Sequence, residues 1–381
     1  MRLLHIIGSL DQRSGGPLRA VLDLSAMSEP LGLHCEVLGL GPVNIPDNPI
    51  SPQSIHSLQS VAFTSYGYAP GLRQWCRNNL RRFDVVMLHG LWMYPNWAVS
   101  RECIDARVPY IVFPHGMLDL WSVQEQGSLS RIKKTMYWHL REKRVLRDCL
   151  ALFFTMRREL ENSSLTFKLP SCVKLVVSPY GTASPVSFLA AVPSAKVEQG
   201  QHLKIALFLG RVHPGKRADL LIKAWRASEV GPEWKLVIAG NGDQSYIASL
   251  NQLVHQLKLD DAIKFVGPVT GTDKQYLYQR ASWFLLPSEH ENFGIAAMEA
   301  VKYGCAIAIS DQVYLADEMP EGSEILPVRI DAWSKFMRER MQNDIWQKQQ
   351  ARKVAEVLLR KFDHNEVAQN WIDTIEATIG C

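Results

Sequence analysis

The 381-residue sequence has no apolar run that approaches the ~18 residues a membrane-spanning helix needs. Its seven cysteines include no Cys-x-x-Cys pair, so neither a disulfide framework nor a thiolate metal site is indicated. The first eight residues form a short apolar run that polar residues follow at once, which favours a buried strand over a signal peptide. We therefore expect a cytoplasmic protein, at most peripheral at the inner face of the cell membrane.

Three further absences bear on the chemistry. No Asp-x-Asp and no His-Glu-x-x-His motif occurs, and such carboxylates and imidazoles commonly hold a catalytic metal. No Gly-x-Gly-x-x-Gly follows the leading strand of either half, which disfavours a dehydrogenase. The sequence also lacks the concentrated basic stripe, interleaved with aromatic residues, that is typical of nucleic-acid-binding proteins.

The net charge of +4 is unevenly distributed along the chain. Residues 1–190 contain 20 Lys and Arg against 14 Asp and Glu, whereas the remainder contains 22 against 24. A mildly basic first half suits phosphate-bearing substrates or an anionic membrane face. Within it, residues 130–147 have the pattern of a basic amphipathic helix that could lie on anionic lipid. A solvated helix face is the alternative.

Short apolar runs alternate with helical patterns in both halves of the chain. Nearly continuous apolar strands, each followed by a loop and a helix, are typical of parallel sheets covered on both faces. The predicted strands are 3–7, 35–38, 85–88, 110–113 and 150–154, then 204–209, 235–239, 263–266, 283–286 and 306–309. A small, polar stretch at 186–202 predicts a boundary between domains 1–188 and 200–362. An amphipathic helix at 363–381 is expected to join the first domain.

The first motif is Asp-Gln-Arg-Ser-Gly-Gly-Pro at 11–17, between the first predicted strand and an apolar-periodic helix. Gly15 and Gly16 would let backbone N–H groups approach an anion at the positive end of that helix. A tight strand-to-helix turn without a ligand is the alternative.

The second motif is Gly-Arg-x4-Lys at 210–216, directly after a predicted strand. Arg211 and Lys216 could flank a loop that opens the next helix. Two fixed cations and a helix N-terminus can stabilise the charge of a departing diphosphate without a metal ion. Two solvated loop cations are the alternative.

The third motif is Pro-Ser-x2-Glu-x-Phe-Gly-x4-Glu-Ala at 287–300. Glu291 and Glu299 are separated by about two helical turns, so we expect both on one side of a helix. The amides of Asn292, Phe293 and Gly294 would lie at its positive end, available to sugar hydroxyls and phosphate oxygens. A capping glutamate plus a solvated one is the alternative.

Taken together, the three motifs resemble those of retaining glycosyltransferases of the GT-B fold, family 4 (glycosyltransferase group 1), of the kind that assembles bacterial exopolysaccharide or envelope polysaccharide. The resemblance spans almost the whole chain and is strongest at 205–310. It implies an α/β protein in which two Rossmann-like parallel-sheet domains face each other across a deep cleft. The second domain would bind the nucleotide-sugar donor, and the first would face the acceptor.

The resemblance also implies roles for individual residues. Arg211 and Lys216 would bind the donor diphosphate, Glu299 the ribose hydroxyls and Glu291 the hydroxyls of the transferred sugar. His115, in Phe-Pro-His-Gly-Met, matches the active-site histidine near the anomeric centre. Further donor contacts are implied at Gly15, Gly16, Gly210, Gly240, Asn241, Gly242, Val269, Asn292, Phe293, Gly294 and Ile295.

The sequence departs from the family in two places. The family often has Asn-Gly-apolar-Asp where this chain has Tyr-Gly-Thr-Ala at 180–183. A glycine pair common after a later strand is replaced by Gln-Val-Tyr at 312–314. Neither change touches the phosphate or glutamate motifs.

On these grounds we expect a metal-independent, retaining hexosyltransferase that uses a UDP-sugar, with glucose as the expected hexose. No carboxylate nucleophile is evident in the first domain, so we expect front-face transfer rather than the double displacement of retaining glycosidases. The acceptor would be a saccharide or lipid-linked saccharide. Trp92, Tyr94 and Trp121 offer aromatic surfaces for it, with packing against the core as the alternative. A sugar-nucleotide epimerase on the same fold and an inactive sugar-nucleotide-binding scaffold remain open.

Overall fold

A computed structural model describes residues 1–11, 16–45, 48–61, 66–124, 127–180 and 203–380. The chain divides into two compact units, Met1–Ala183 with Phe362–Cys381, and Ser184–Lys361. Gly15, segment 181–183 and the predicted boundary at 186–202 lie outside the described residues.

The first unit is built on a parallel sheet of seven strands in the order β3-β2-β1-β4-β5-β6-β7. Its central strands are almost wholly buried because helices cover both faces, as their continuous apolar sequences predict. The strands are β1 (Arg2–Ile7), β2 (His34–Leu40), β3 (Ile55–Leu58), β4 (Val85–His89), β5 (Tyr110–Phe113), β6 (Ala151–Phe154) and β7 (Lys174–Val177).

The helices of this unit alternate with its strands along the chain and include one from the end of the chain. They are α1 (Gly16–Ser28), α2 (Leu72–Asn79), α3 (Tyr94–Ala106), α4 (Leu120–Gln124), α5 (Gly127–Tyr137), α6 (Lys143–Asp148) and α7 (Arg157–Thr166). A π-helical turn, Trp138–Glu142, joins α5 to α6. The terminal helix α14 (His364–Ile379) begins at Asp363, whose side chain accepts hydrogen bonds from the amides of Asn365 and Glu366.

The second unit is built on a parallel sheet of six strands in the order β10-β9-β8-β11-β12-β13. Its strands are β8 (Lys204–Leu209), β9 (Trp234–Ala239), β10 (Ile263–Gly267), β11 (Ala281–Leu286), β12 (Ala306–Ser310) and β13 (Glu324–Leu326). Its helices are α8 (Ala218–Ser228), α9 (Gln244–Gln256), α10 (Gly271–Arg280), α11 (Ile295–Lys302), α12 (Ile330–Phe336) and α13 (Asp344–Lys361).

Both sheets have the strand order of a doubly wound nucleotide-binding fold, with a central strand flanked by crossovers on either side. The predicted α/β class with two Rossmann-like parallel-sheet domains is therefore confirmed. Within the described ranges, no helix is both long and apolar enough to cross a membrane.

Candidate active site

The loops that carry the second and third motifs meet at one edge of the second sheet. β9, β8 and β11 are neighbours, and all are parallel, so their carboxyl ends lie side by side. The loop after β8 carries Arg211 and Lys216, and the loop after β11 carries Glu291. In sheets of this kind ligands bind outside the carboxyl ends of the strands.

Two glycines allow the loops after β8 and β9 to touch backbone to backbone. A Cβ atom on Gly240 would lie 1.7 Å from the carbonyl oxygen of Gly210, and one on Gly242 would lie 2.1 Å from that of Val212. Gly240 also has a φ of +138°, which disfavours any other residue. Asn241 is exposed between the two glycines, and its carbonyl accepts a hydrogen bond from the amide of Val212 at 2.7 Å.

Lys216 and Glu291 form an ion pair, although they are 75 residues apart. Lys216 ends a short 3-10 turn, and the amide of Glu289 bonds to the carbonyl of Gly215 at 2.8 Å, which fixes one loop against the other. Burial acts to raise the pKa of Glu291, but the Lys216 ammonium, together with His290 and the amide of Gly294, holds that pKa below its ordinary value. The pair brings together two residues that the sequence analysis assigned to the diphosphate and to the sugar.

The third motif does not place its two glutamates on one helix. Gly294 adopts a left-handed conformation with φ of +74°, and α11 begins only at Ile295. Glu291 therefore lies on the preceding loop, where it bridges to Val313, and only Glu299 is helical. The expected placement of both glutamates on one helix is wrong, because the left-handed Gly294 interrupts the helical backbone between them. The amide end of α11 does follow Asn292, Phe293 and Gly294, as predicted.

Both carboxylate oxygens of Glu299 are held by residues of α10. Nζ of Lys274 lies 2.6 Å from Oε1, and the hydroxyl of Tyr278 donates to Oε2 at 2.8 Å. Neither Lys274 nor Tyr278 was predicted from the sequence. Their i, i+4 spacing on a predicted helix would have shown that they share a face, but not that Glu299 lies opposite.

The other predicted donor residues have varied surroundings. Arg211 is exposed, and its positive charge, after burial, is among the causes that lower the pKa of His213. Phe293 is buried, so only its backbone could serve a ligand. Oδ1 of Asn292 is buried and makes no hydrogen bond within the described part of the chain. Val269 and Ile295 are half-buried.

In the first unit, His115 follows β5 in a left-handed conformation with φ of +53°. Such a backbone is uncommon for a residue with a side chain and is often found at functional sites. Nε2 of His115 lies 2.8 Å from Nδ1 of His89, and Nδ1 is hydrogen-bonded to the hydroxyl of Tyr180. The buried carboxyl of Glu159 accepts from the amide of Gly116 at 2.6 Å and so fixes the loop.

The aromatic residues predicted for the acceptor have different environments. Tyr94 is 7% exposed and belongs to the hydrophobic core of the first unit, which corresponds to the packing alternative. Trp92 is half-buried against Phe167, its Nε1 donates to the carbonyl of Met117 at 3.3 Å, and its φ is +65°. Trp121 is half-buried on α4.

The predicted basic helix is present as α5, the π-helical turn and α6. One side, with Trp138 and Val145, packs into the core. The other presents an apolar stripe at intervals of four residues, in which Ile132, Met136 and Leu140 are 57%, 59% and 63% exposed. We refer to these three residues as the exposed stripe.

No group of three or more His, Cys, Asp or Glu side chains able to hold a metal ion occurs in the part of the chain that the structure describes.

Two family models match the sequence. The model described as glycosyl transferases group 1 matches residues 194–354, and the glycosyl transferase 4-like domain matches residues 15–181. The two matches follow one another along most of the chain. The protein belongs to the group 1 glycosyltransferases with a 4-like N-terminal domain, and the family predicted from the three motifs is confirmed.

Individual relatives agree with this assignment. The chain is 22% identical over its full length to the GDP-mannose:cellobiosyl-diphosphopolyprenol alpha-mannosyltransferase of Xanthomonas campestris, and covers 98% of that protein. It is 36% identical over 107 residues to an uncharacterized glycosyltransferase of Methanocaldococcus jannaschii, where the match spans 28% of this chain and only 27% of that protein. The fold is similar to that of HepE from Anabaena in complex with UDP and glucose, with a TM-score of 0.76, 16% identity and coverage of 99% and 100% of the two chains.

Proposed function

We propose that the protein is a metal-independent, retaining hexosyltransferase that moves a hexose, in this proposal glucose, from a UDP-sugar to a saccharide or lipid-linked saccharide. Its products would enter exopolysaccharide or envelope polysaccharide. The observation that carries the proposal is the ion pair of Lys216 with Glu291 at the carboxyl edge of β8 and β11, beside the glycine contact of Gly210 with Gly240. This edge of the sheet therefore offers a cation for phosphate, a carboxylate for sugar hydroxyls and glycine backbone that a ligand can approach closely.

Donor binding follows from the charges of these loops. Arg211 and Lys216 supply two cations from the loop after β8, and the amides that open α11 add the positive end of a helix dipole. Glu299, held by Lys274 and Tyr278, presents a fixed carboxylate to the ribose diol. The UDP and glucose named for HepE favour a uridine donor, whereas the Xanthomonas relative is named for GDP-mannose.

Transfer without a metal follows from where charge develops. As the glycosidic bond breaks, negative charge grows on the diphosphate and positive charge on the sugar. Fixed cations at the diphosphate stabilise that state, and losing one such contact typically costs ~3–4 kcal/mol of barrier. A phosphate oxygen of the leaving group would then deprotonate the acceptor hydroxyl on the same face, which retains the configuration.

A lipid-linked acceptor is supported by the surface of the first unit. The exposed stripe is accompanied by exposed cations, and the two acidic residues in 130–148 are not available to repel lipid. Glu142 is buried, and Asp148 is paired with Arg101 and Arg147. An apolar stripe bordered by Lys and Arg is the pattern of a helix that lies in the interface of an anionic membrane.

The test is calorimetric binding of UDP, GDP, ADP and NAD in EDTA to the wild type, to Lys216→Ala and to Lys223→Ala. Lys223 is the matched control because it pairs with Asp219 on α8, outside the motif loops. We expect selective UDP binding that only Lys216→Ala weakens, followed by transfer from UDP-hexoses with retention, read by NMR of the anomeric proton. Binding of NAD alone, a strict need for added metal, or epimerised donor in place of transfer would overturn the proposal.

A further inference from the structure

Four polar side chains of the first unit form a continuous hydrogen-bonded line across its sheet. His5 is on β1, His89 ends β4 and His115 follows β5, and these strands are neighbours. Nδ1 of His5 lies 2.8 Å from Nε2 of His89, and Nδ1 of His89 lies 2.8 Å from Nε2 of His115. The hydroxyl of Tyr180 completes the line at Nδ1 of His115. We call these four residues the histidine line.

The line is shielded from water at its inner end. His5 is fully buried and stacks on Trp371 of α14, with ring centroids 5.8 Å apart and planes 15° apart. His89 is 3% exposed. Burial lowers the pKa of His5 and of His115 to about 3 and that of His89 well below its ordinary value. All three rings are therefore neutral at physiological pH, with one N–H each.

Neutral rings in such a line must all carry their proton on the same ring nitrogen. Each of the two contacts between rings needs one N–H and one bare nitrogen, so the tautomer of any ring fixes the other two. In one arrangement all three rings carry the proton on Nε2, and Tyr180 donates to Nδ1 of His115. In the other all three carry it on Nδ1, and His115 donates to the oxygen of Tyr180.

A phenol is a better hydrogen-bond donor than acceptor, so the first arrangement is favoured. It leaves the Nε2 proton of His5 at the inner end, and this nitrogen has no hydrogen-bond partner among the described residues. It also leaves Nδ1 of His115 as an acceptor. The first arrangement therefore buries one unsatisfied N–H group, on His5, and makes Nδ1 of His115 a hydrogen-bond acceptor.

We propose that His5 and His89 are positioning residues that hold His115 in its Nε2–H tautomer, with Nδ1 aimed at the Tyr180 hydroxyl. This inference rests on the proposed function, because it takes His115 as an active-site residue.

The tautomers can be read without any substrate. In the 15N-histidine-labelled protein, the 15N chemical shifts of the imidazole nitrogens separate Nε2–H from Nδ1–H rings, and single substitutions assign the three signals. We expect all three rings to be neutral Nε2–H. An Nδ1–H ring at any of the three positions would overturn the proposal, whether or not the protein turns over a UDP-sugar. This measurement therefore fails or succeeds independently of the proposed function.

A kinetic comparison tests the consequence for the site. His89→Phe keeps the ring but removes both contacts, whereas in His89→Gln the side-chain oxygen can accept from His115 and the amide can donate to His5. With UDP-glucose as the probe and release of UDP as the readout, we expect kcat of His89→Phe to fall by at least about tenfold with KM within about twofold. His89→Gln should stay within about threefold of wild type.

The matched control is His56→Phe, which removes another histidine of the same sheet, on β3, together with its bond to Glu36. It should leave kcat unchanged and the three tautomers intact. Wild-type kcat in His89→Phe, or equal losses in the phenylalanine and glutamine variants, would show that the hydrogen bonds of His89 do not position His115.

Discussion

Lys216 is paired with Glu291, so the cation expected at the diphosphate and the carboxylate expected at the sugar neutralise each other in the second unit. A donor that binds here must share Lys216 with Glu291 rather than meet an unoccupied ammonium. The pair therefore holds the lysine in place before a phosphate arrives. Preorganised charge of this kind needs little rearrangement when the leaving group forms.

Removing the ammonium should affect turnover far more than stability. We expect Lys216→Ala to lower kcat by about a hundredfold to a thousandfold, by analogy with the loss of one oxyanion donor. It should also raise the pKa of Glu291, because burial then acts without its opposing charge. Steady-state kinetics with the preferred UDP-hexose, at several pH values, would measure both effects. Lys223→Ala should retain wild-type kinetics, and an equal loss there would contradict a specific role for Lys216.

Glu299 should recognise the ribose of the nucleotide. We expect Glu299→Gln to weaken UDP binding by about tenfold, which is about 1.4 kcal/mol. Lys274→Met should have a similar effect by freeing one carboxylate oxygen. Calorimetry with UDP and 2′-deoxy-UDP on wild type and Glu299→Gln forms a double cycle. Additive losses would show that Glu299 does not contact the 2′-hydroxyl.

The stability of the first unit should be greatest near neutral pH. The three rings of the histidine line have an ordinary pKa near 6.5 when unfolded but are held neutral when folded, so each destabilises the folded state as pH falls below that value. Glu142 acts in the opposite sense. Burial raises its pKa from 4.5 to about 8, so its contribution is present at low pH and is lost as pH rises towards 8. Below pH 6.5 the three rings outweigh the one carboxyl.

Scanning calorimetry between about pH 5.5 and 8.5 would measure this profile. In Glu142→Gln the loss of stability on the alkaline side should become smaller, whereas the loss on the acid side should remain. A profile that falls equally steeply above pH 7 in both proteins would show that Glu142 is not the group responsible.

The backbone contact between Gly210 and Gly240 should tolerate no side chain. We expect Gly240→Ala to cost several kcal/mol, because its methyl would overlap the carbonyl of Gly210 and its φ is +138°. Gly267→Ala is the matched control, since Gly267 also has a positive φ, of +72°, but open space around its Cβ position. It should cost only about 1 kcal/mol of strain. Urea unfolding would measure both, and equal costs would contradict the steric argument.

The exposed stripe should bind anionic membranes. We expect wild type to sediment with vesicles that contain about one third phosphatidylglycerol, and to be released as salt rises from about 50 to 500 mM, because the attraction is screened. Replacing Ile132, Met136 and Leu140 with serine should abolish binding. Leu165→Ser is the control, since Leu165 is 82% exposed on α7. Equal binding by the triple variant would exclude the exposed stripe as the membrane-binding surface. Equal binding to neutral vesicles would exclude attraction to anionic lipid.

The sequence predicted every central strand and one edge strand, β10, but missed the other three edge strands. All ten predicted strands are present, and their ends lie within two residues of the predicted ones. The three missed strands, β3, β7 and β13, are each the last strand of a sheet, and most of their residues are half-buried or exposed. A strand covered on fewer sides needs fewer apolar residues, so no continuous apolar run marks it.

The candidate site was predictable where a motif is local, and not where residues distant in sequence converge. The Gly-Arg-x4-Lys loop stands directly after its strand, as expected. The histidine line has weaker signals. His5 is a polar residue inside an apolar strand, and His89-Gly90 and His115-Gly116 repeat one dipeptide at the carboxyl ends of neighbouring strands. Only the strand order shows that these three histidines meet.

The packing of α14 on the first unit has a consequence for biosynthesis. Trp371, which covers His5, leaves the ribosome only after the whole of residues 184–361 has been made. At ~5–20 residues per second this interval lasts on the order of ten seconds or more, long enough for the second unit to fold first. Until then the inner end of the histidine line is uncovered. The nascent first unit therefore completes its core last, although its strands are synthesised first.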